Sequence, residues 1–497
     1  WWNEAFEAAG FINAFQVKVL PEGADPMDIR YNMINWIHRS TRGWSYGASV
    51  TDPRTGEIIK GHIALGSQRI RQDFLIASGL VAEYEEGEKT DPAIMALALL
   101  RIKQLSCHEV GHTLGLNHNY ASSVNSRSSV MDYPHPLVKL NGKKIDLSDA
   151  YTDGIGEWDK VSISYGYSQF PEGSDELAEL NKVLESAFTG GLIFLTDQDS
   201  RGTHPLTNAW DNGTNPVDEL LRVMKIRQLA LDNFSVKKVK PGESLSTLED
   251  ILVPVYLFHR YQITASASVI GGLYYNHTVR NGPQALPEFV SKDEQVKALD
   301  ALLEVIEPEN LAIDENILAI LPPRAPGLRQ SRELFDSYTG IVFDPLSAAE
   351  NIANLTVGSI LDPARIARLI VFRARNNKQP EATEFIDKLL YATWYKKNSR
   401  NMDGELQRIV NYVVLDKLIQ LAANINNAEQ VRAIADLKLW ELKAWITESI
   451  SVEEYNDNSL AMYYYGLKQI DYYINNPENI VIKKVLQIPQ GAPIGSY

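Results

Sequence analysis

The segment His108-Glu109-Val110-Gly111-His112-Thr113-Leu114-Gly115-Leu116-Asn117-His118 constrains this chain more than any other. On a helix, residues four apart return to nearly the same face. His108 and His112 can therefore direct two imidazole nitrogens at one cation. Glu109 projects beside them, close enough to hydrogen-bond a water at that cation without occupying it. Gly115 suits a left-handed residue that ends the helix and turns the chain, and the turn brings His118 back as a third nitrogen ligand. Three neutral imidazoles with one open position are the arrangement of a catalytic rather than a structural zinc ion. Such an ion lowers the pKa of its water to ~7, and Glu109 is placed to take that proton during attack on a carbonyl. With five positions fixed together, a chance match at this chain's own residue frequencies is on the order of 10⁻⁵ per chain.

The flanking sequence supplies a helix for the motif. Asp91 reads as an N-cap and Pro92 as the first helical residue, opening a helix expected over 91–117. Upstream, Trp2, Ala5, Phe6 and Ala9 fall at helical spacing and Gly10 stops that turn. Residues 15–20, 29–38, 45–50 and 57–65 read as strands, and Asp52-Pro53-Arg54-Thr55-Gly56 as the hairpin turn joining the last two. Beyond Pro171-Glu172-Gly173-Ser174 the character changes. Residues 175–320 read as mostly helix, Leu321 to Gly327 as a linker, and 362–376, 383–397, 403–425, 427–450 and 458–475 as a helical bundle. The Gln490 to Gly495 tail reads as extended and turn-rich. The expected organisation is α+β, with a catalytic domain over 1–170, a helix-rich middle region over 171–327 and a C-terminal bundle over 328–497.

Composition narrows the partners. The 497 residues carry 48 Lys and Arg against 63 Asp and Glu, a formal charge of −15, which argues against a general grip on nucleic acid or an anionic membrane. The single Cys excludes an intrachain disulfide. No apolar run is long enough to span a membrane. The start at Trp1-Trp2-Asn3, without a signal-type segment, is expected to reflect a mature form, a trimmed form or part of something longer, and says nothing about export.

Ser129-Val130-Met131-Asp132-Tyr133-Pro134 follows the motif, with Met131 13 residues after His118. With the histidine motif, it resembles the metzincin metalloproteases, in which a tight turn sets a Met side chain beneath the three histidines. A thioether is apolar and polarizable and forms a floor without competing for zinc. Ala5 to Phe11, Asp52 to Ile58, Gly154-Ile155-Gly156-Glu157-Trp158-Asp159 and His259-Arg260-Tyr261-Gln262 extend the likeness to a family of large bacterial zinc-dependent metzincins, over nearly the whole chain. The resemblance implies a zincin catalytic domain with a twisted mixed sheet, an active-site helix, a closing helix near 157–167 and a helical C-terminal region. It also implies Zn²⁺ as cofactor, a protein or peptide substrate, and export to the periplasm, cell surface or medium. Tyr133, two residues after Met131, takes one of two roles on this likeness: zinc ligand and oxyanion donor, or packing on the primed side of the cleft.

Other groups read more plainly. Cys107 points about 100° away from His108 around the helix and is expected to be buried packing. His38, His62, His135, His204, His259 and His277 lack ligand spacing, His135 being nearest the Met-turn and placed to line the cleft. Asp197-Gln198-Asp199 and Asp211-Asn212-Gly213 lack a full calcium ligand set and read as capping or solvated groups. Arg260 is expected in a buried ion pair, and Tyr463 to Tyr465 with Tyr472 and Tyr473 in bundle packing. The metzincin resemblance further implies a substrate backbone along an edge strand, at 44–50 or 61–67, with Gly47 permitting close approach. The sum is a zinc-dependent endopeptidase with Glu109 as base. Its rivals are a zinc amidase acting on a non-peptide or cell-wall amide, and a catalytically inert surface binding protein.

Overall fold

Trp2, Ala5 and Phe6 are buried along one side of helix α1 (Trp2–Ala8), which ends before Gly10 at φ +93°. The structure, a computed structural model, describes residues 1–39, 45–85, 91–397, 399–452, 455–481 and 486–491. Trp44 of the expected edge strand and residues 492–495 of the expected tail lie outside the described residues.

Three strands form one sheet: β1 (Met33–Ile37), β2 (Tyr46–Thr51) and β3 (Ile58–Gly66). Their order is β1-β3-β2, with β1 parallel and β2 antiparallel to β3. The hairpin between β2 and β3 turns at Gly56 (φ +77°), whose amide donates to the Asp52 carbonyl at 2.9 Å. Two expectations are corrected here. The 15–20 run forms no strand, and Val17 and Val19 are 70% and 94% exposed. Alternating apolar residues make a strand only where an edge is offered to them. Residues 61–67 cannot serve as a substrate edge, because β3 lies between two partners; β2 is the edge strand beside the motif helix.

Helix α2 (Gln68–Val81) leaves β3 directly and is not among the elements expected from the sequence. Half of its buried positions are polar, namely Arg69, Gln72, Asp73 and Ser78, with Ile76, Ala77, Gly79 and Leu80 as the rest. Helix α3 (Pro92–Thr113) begins as expected, with the Asp91 carboxylate accepting from the Ala93 amide. The small ribbon of β4 (Lys139–Asn141) and β5 (Lys144–Asp146) follows, then α4 (Glu157–Tyr167) and α5 (Glu176–Thr189). Helices α6 (Pro216–Asp232), α7 (Leu248–Tyr256) and α8 (Arg260–Ala267) come next. The short pair β6 (Leu273–Tyr274) and β7 (Glu288–Phe289) precedes α9 (Lys292–Val305), α10 (Pro308–Leu311) and α11 (Glu315–Leu318). After a helix-free stretch that contains the Pro-rich linker, the chain closes with α12 (Pro345–Ile360), α13 (Pro363–Arg375), α14 (Ala382–Ala392), α15 (Met402–Ala423), α16 (Glu429–Val452) and α17 (Asp457–Asn475). The fold is α+β, a small-sheet zincin-like domain followed by a helical region.

Among the described residues, two apolar cores hold this together. The smaller gathers Trp2, Phe6, Ile63, Leu105, Met131 and Tyr133, and includes Trp210 from far downstream. The larger runs from Ile76 and Leu97 through α6 to α9 and on to Tyr473. Residues on both sides of positions 170 and 327 therefore share one core. In α17, Tyr463 and Tyr473 are buried in the bundle while Tyr464, Tyr465 and Tyr472 face outward. Among the described residues no helix is long and apolar enough to cross a membrane.

Candidate metal centre

The end of α3 sets the geometry. Leu114 caps the helix and Gly115 follows at φ +86°. The Leu116 amide donates back to the Gly111 carbonyl and the Gly115 amide to the His112 carbonyl, each at 3.1 Å. These two bonds form the left-handed glycine cap that the sequence calls for. The turn has a second use, since the Leu116 carbonyl lies 3.0 Å from His112 Nδ1 and fixes that ring.

Each of the other two rings is held by its Nδ1 as well. His108 Nδ1 lies 2.8 Å from the Val130 carbonyl, and His118 Nδ1 lies 2.9 and 3.0 Å from the two carboxylate oxygens of Asp197. Engagement of Nδ1 leaves Nε2 as the free ligand atom on all three rings. His108 Nε2 and His112 Nε2 are 3.1 Å apart, and one nitrogen from each of the three rings lies within 4.8 Å of the others. The His118 Nε2 is buried with no hydrogen-bond partner among the described residues. Burial, with the neighbouring imidazoles, holds His108 well below the usual histidine range, and burial lowers His112 and His118 too. Three neutral, convergent, pre-oriented imidazoles fit a zinc ion.

Glu109 is 3% exposed. Burial raises its carboxyl to about 7, opposed by Arg101, by a hydrogen bond from the Gly47 amide and by Arg69. The close backbone approach expected at Gly47 comes from inside the molecule: a Cβ there would sit 1.9 Å from the Glu109 carbonyl oxygen. Glycine at 47 thus lets the edge strand lie on the motif helix. Gly111, inside the motif, is needed for a similar reason. A Cβ at 111 would meet Met131 Sδ at 2.2 Å and Trp2 Cζ2 at 2.8 Å. Met131 is therefore packed against the helix turn that carries the two histidines.

The turn bearing Met131 is built by a buried carboxylate. Asp159 on α4 accepts from the Val130 amide (2.8 Å), the Gly156 amide (2.9 Å) and the Ser129 hydroxyl (2.6 Å), and burial raises it to about 6. Gly156 permits this contact, since a Cβ there would meet the Ser128 carbonyl oxygen at 1.9 Å. Tyr133 packs against two of the three imidazoles, its ring centroid 5.1 Å from that of His108 and 4.6 Å from that of His118. Trp210 stacks on its other face at 4.9 Å, and the Trp210 amide donates to the Tyr133 carbonyl at 2.7 Å.

Several readings change. Asp197 and Asp199 serve different partners: Asp197 holds His118 and accepts from Tyr120 Oη, while Asp199 accepts from Tyr275 Oη and lies 3.1 Å from His277 Nε2. Asp211 is buried beside Asp132, and burial raises both carboxyls. His135 does not line the cleft; it is buried against Phe258, and burial lowers it to about 3. Arg260 donates to the Pro489 carbonyl at 2.8 Å and covers the Tyr261 ring, where an ion pair was expected. Cys107 is buried packing, its carbonyl accepting from Trp2 Nε1 and its thiol pushed up by burial. Asp197, Tyr120 and Trp210 are the site residues that sequence reasoning missed in role; no local spacing ties a residue 79 positions away to His118.

Comparison with known proteins agrees with this geometry at one level. A family model described as Met-zincin matches residues 90–401. No curated protein and no solved structure matches the chain.

Proposed function

The chain belongs to the Met-zincin family, and from that premise we propose that it is a zinc-dependent endopeptidase whose ligands are His108, His112 and His118 and whose general base is Glu109. The family is one of zinc metalloproteases, and protein or peptide substrates, with the export implied by the resemblance, go with the reading. The observation that carries it is the convergence of three imidazoles oriented through Nδ1, with a buried carboxylate on the adjacent helix position.

Zinc, held by the three Nε2 atoms, would supply Lewis acidity to the attacking water and the scissile carbonyl. The chain's own groups do the rest. Glu109 takes a proton from the attacking water, and the Gly47 amide holds its carboxylate toward the edge strand. The same carboxyl, in a site that raises it to about 7, then returns the proton to the leaving amine. Tyr133 Oη is the candidate donor to the developing oxyanion, on a ring braced by Trp210 and His118. Met131 supplies the apolar floor.

The test is digestion of a mixed peptide library by the zinc-loaded protein, with products read by mass spectrometry, beside cell-wall fragments and simple non-peptide amides. Internal peptide cleavage that stops with a chelator and returns with zinc supports the proposal. Turnover confined to the non-peptide amides favours the amidase reading, and no turnover of any amide favours an inert binding protein.

A further inference from the structure

A cleft of about 1010 Å³ adjoins the metal centre on the side of the Leu114–Asn117 turn. Leu116, which lines it, is the residue whose carbonyl fixes His112. Its inner wall is apolar, made by Leu116, Trp158, Val161, Leu184, Phe188 and Phe194, with Trp158 and Phe194 stacked at 5.4 Å. Apart from Trp158 these side chains are only partly buried, so the wall presents exposed aromatic and aliphatic surface in a concave site. Such surface marks a binding site. The rim mixes signs, with Glu57 and Glu185 against Arg280, and so favours no charged occupant.

Two further features tie the cleft to the metal centre. Ser49 and Thr51 of the edge strand β2 form part of its lining. The edge of β2 away from β3 carries no ladder partner among the described residues, so it offers amides and carbonyls to an extended backbone. The opposite wall, which begins at His277, is pinned to the third ligand through one turn: Asp199 holds His277 and Tyr275, while Asp197 two residues earlier holds His118. A peptide paired along β2 would thus set a side chain into an apolar hollow at a distance fixed relative to the three histidines.

We propose that this cleft is a specificity subsite that takes a large apolar side chain, aromatic or long aliphatic, of a peptide lying along β2. This deepens, and rests on, the endopeptidase reading. Gly166 offers a clean probe. It lines the cleft near the end of α4, its φ is ordinary, and a Cβ there meets nothing within 4 Å. Gly166→Phe therefore fills the hollow without crowding the fold, and Phe188→Ser removes part of the apolar inner wall.

The experiment compares peptides that differ by Phe or Ala at one position at a time. Cleavage is followed with the zinc-loaded wild type, and binding with Glu109→Gln by fluorescence anisotropy. Zinc content and thermal midpoint report the integrity of each variant. The expected result is a preference for Phe over Ala of about 10- to 100-fold at one position near the scissile bond, in cleavage and in binding. Gly166→Phe and Phe188→Ser should each reduce it about tenfold or more. Cleavage without such a preference, or a preference unchanged in both variants, overturns the subsite while leaving the peptidase reading intact. If no peptide is cleaved yet Glu109→Gln binds the Phe peptides selectively and both cleft substitutions abolish that selectivity, the subsite stands and the endopeptidase reading falls. Binding that ignores the exchange of Phe for Ala overturns the subsite whatever cleavage does.

Discussion

Asp197→Ala tests how the third ligand is held. Asp197 presents both carboxylate oxygens to His118 Nδ1, at 2.9 and 3.0 Å, and accepts from Tyr120 Oη at 3.3 Å. The pairing fixes the tautomer that leaves Nε2 free and raises its basicity. Loss of such an outer partner typically costs 10- to 100-fold in metal affinity. Here the Asp197 side chain is 55% exposed, so water can replace the lost acceptor, and the lower end applies. The expectation is about tenfold weaker zinc binding, or about 1.4 kcal/mol. Asp197→Asn keeps one oxygen acceptor and should fall between wild type and the Ala variant. The assay is competition for zinc against a chromophoric chelator at neutral pH, with His118→Ala as the reference for losing a ligand outright. Wild-type affinity in Asp197→Ala would refute the orienting role. A loss as deep as that of His118→Ala would equally refute it, because the carboxylate would then be doing more than orienting a ring.

Three further outcomes follow from the packing. Gly47→Ala sets a Cβ against the Glu109 carbonyl, a helix backbone atom that cannot move aside, and displaces the amide that holds the Glu109 carboxylate. A stability loss at the upper end of about 1–3 kcal/mol is expected by urea unfolding, with a fall in kcat that persists where the variant is fully folded. Gly111→Ala pushes on Met131 and Trp2, so it should cost a similar amount and lower zinc affinity as the floor beneath the ligands shifts. Asp159 supplies a pH dependence. Its folded-state pKa, about 6, is raised above the ordinary aspartate value of 3.8, so the folded state holds the extra proton between the two. Its contribution is present below the lower value and is lost as pH rises through about 6, on the order of 3 kcal/mol in all. Asp159→Asn keeps the Val130 and Gly156 amides paired and removes that ionisation. The difference in urea midpoint between pH 4.5 and 7.5 should shrink relative to wild type.

The candidate site was legible where its geometry is local. The i, i+4 histidines, the adjacent carboxylate and the left-handed Gly115 all lie within one helix end, and helix geometry alone brings them together. The Gly156 to Asp159 segment could be recognised but not explained, because its role depends on the Ser128 to Val130 backbone reaching it. Asp197 reads in sequence as a capping or solvated carboxylate, but its partner lies 79 residues earlier, and nothing in its neighbours announces His118. Gly47 was correctly read as a place for close approach, yet the backbone that approaches belongs to Glu109. Helix α2 is not legible in the sequence because its buried face mixes Arg69, Gln72 and Asp73 with Ile76, Ala77 and Leu80, which blurs the amphipathic pattern. The 15–20 run was misread for the opposite reason: its alternation suits a strand, but no neighbouring edge receives it. Trp210, stacked on Tyr133, is the clearest sign that residues well beyond 170 help build the site.

The central claim is that Glu109 does the proton transfer at a centre held by His108, His112 and His118. The most direct measurement is zinc content and peptide turnover of Glu109→Gln beside wild type, in one preparation series. The account predicts one zinc per chain in both, with turnover nearly abolished in the variant. Substantial peptidase activity in zinc-replete Glu109→Gln would contradict it.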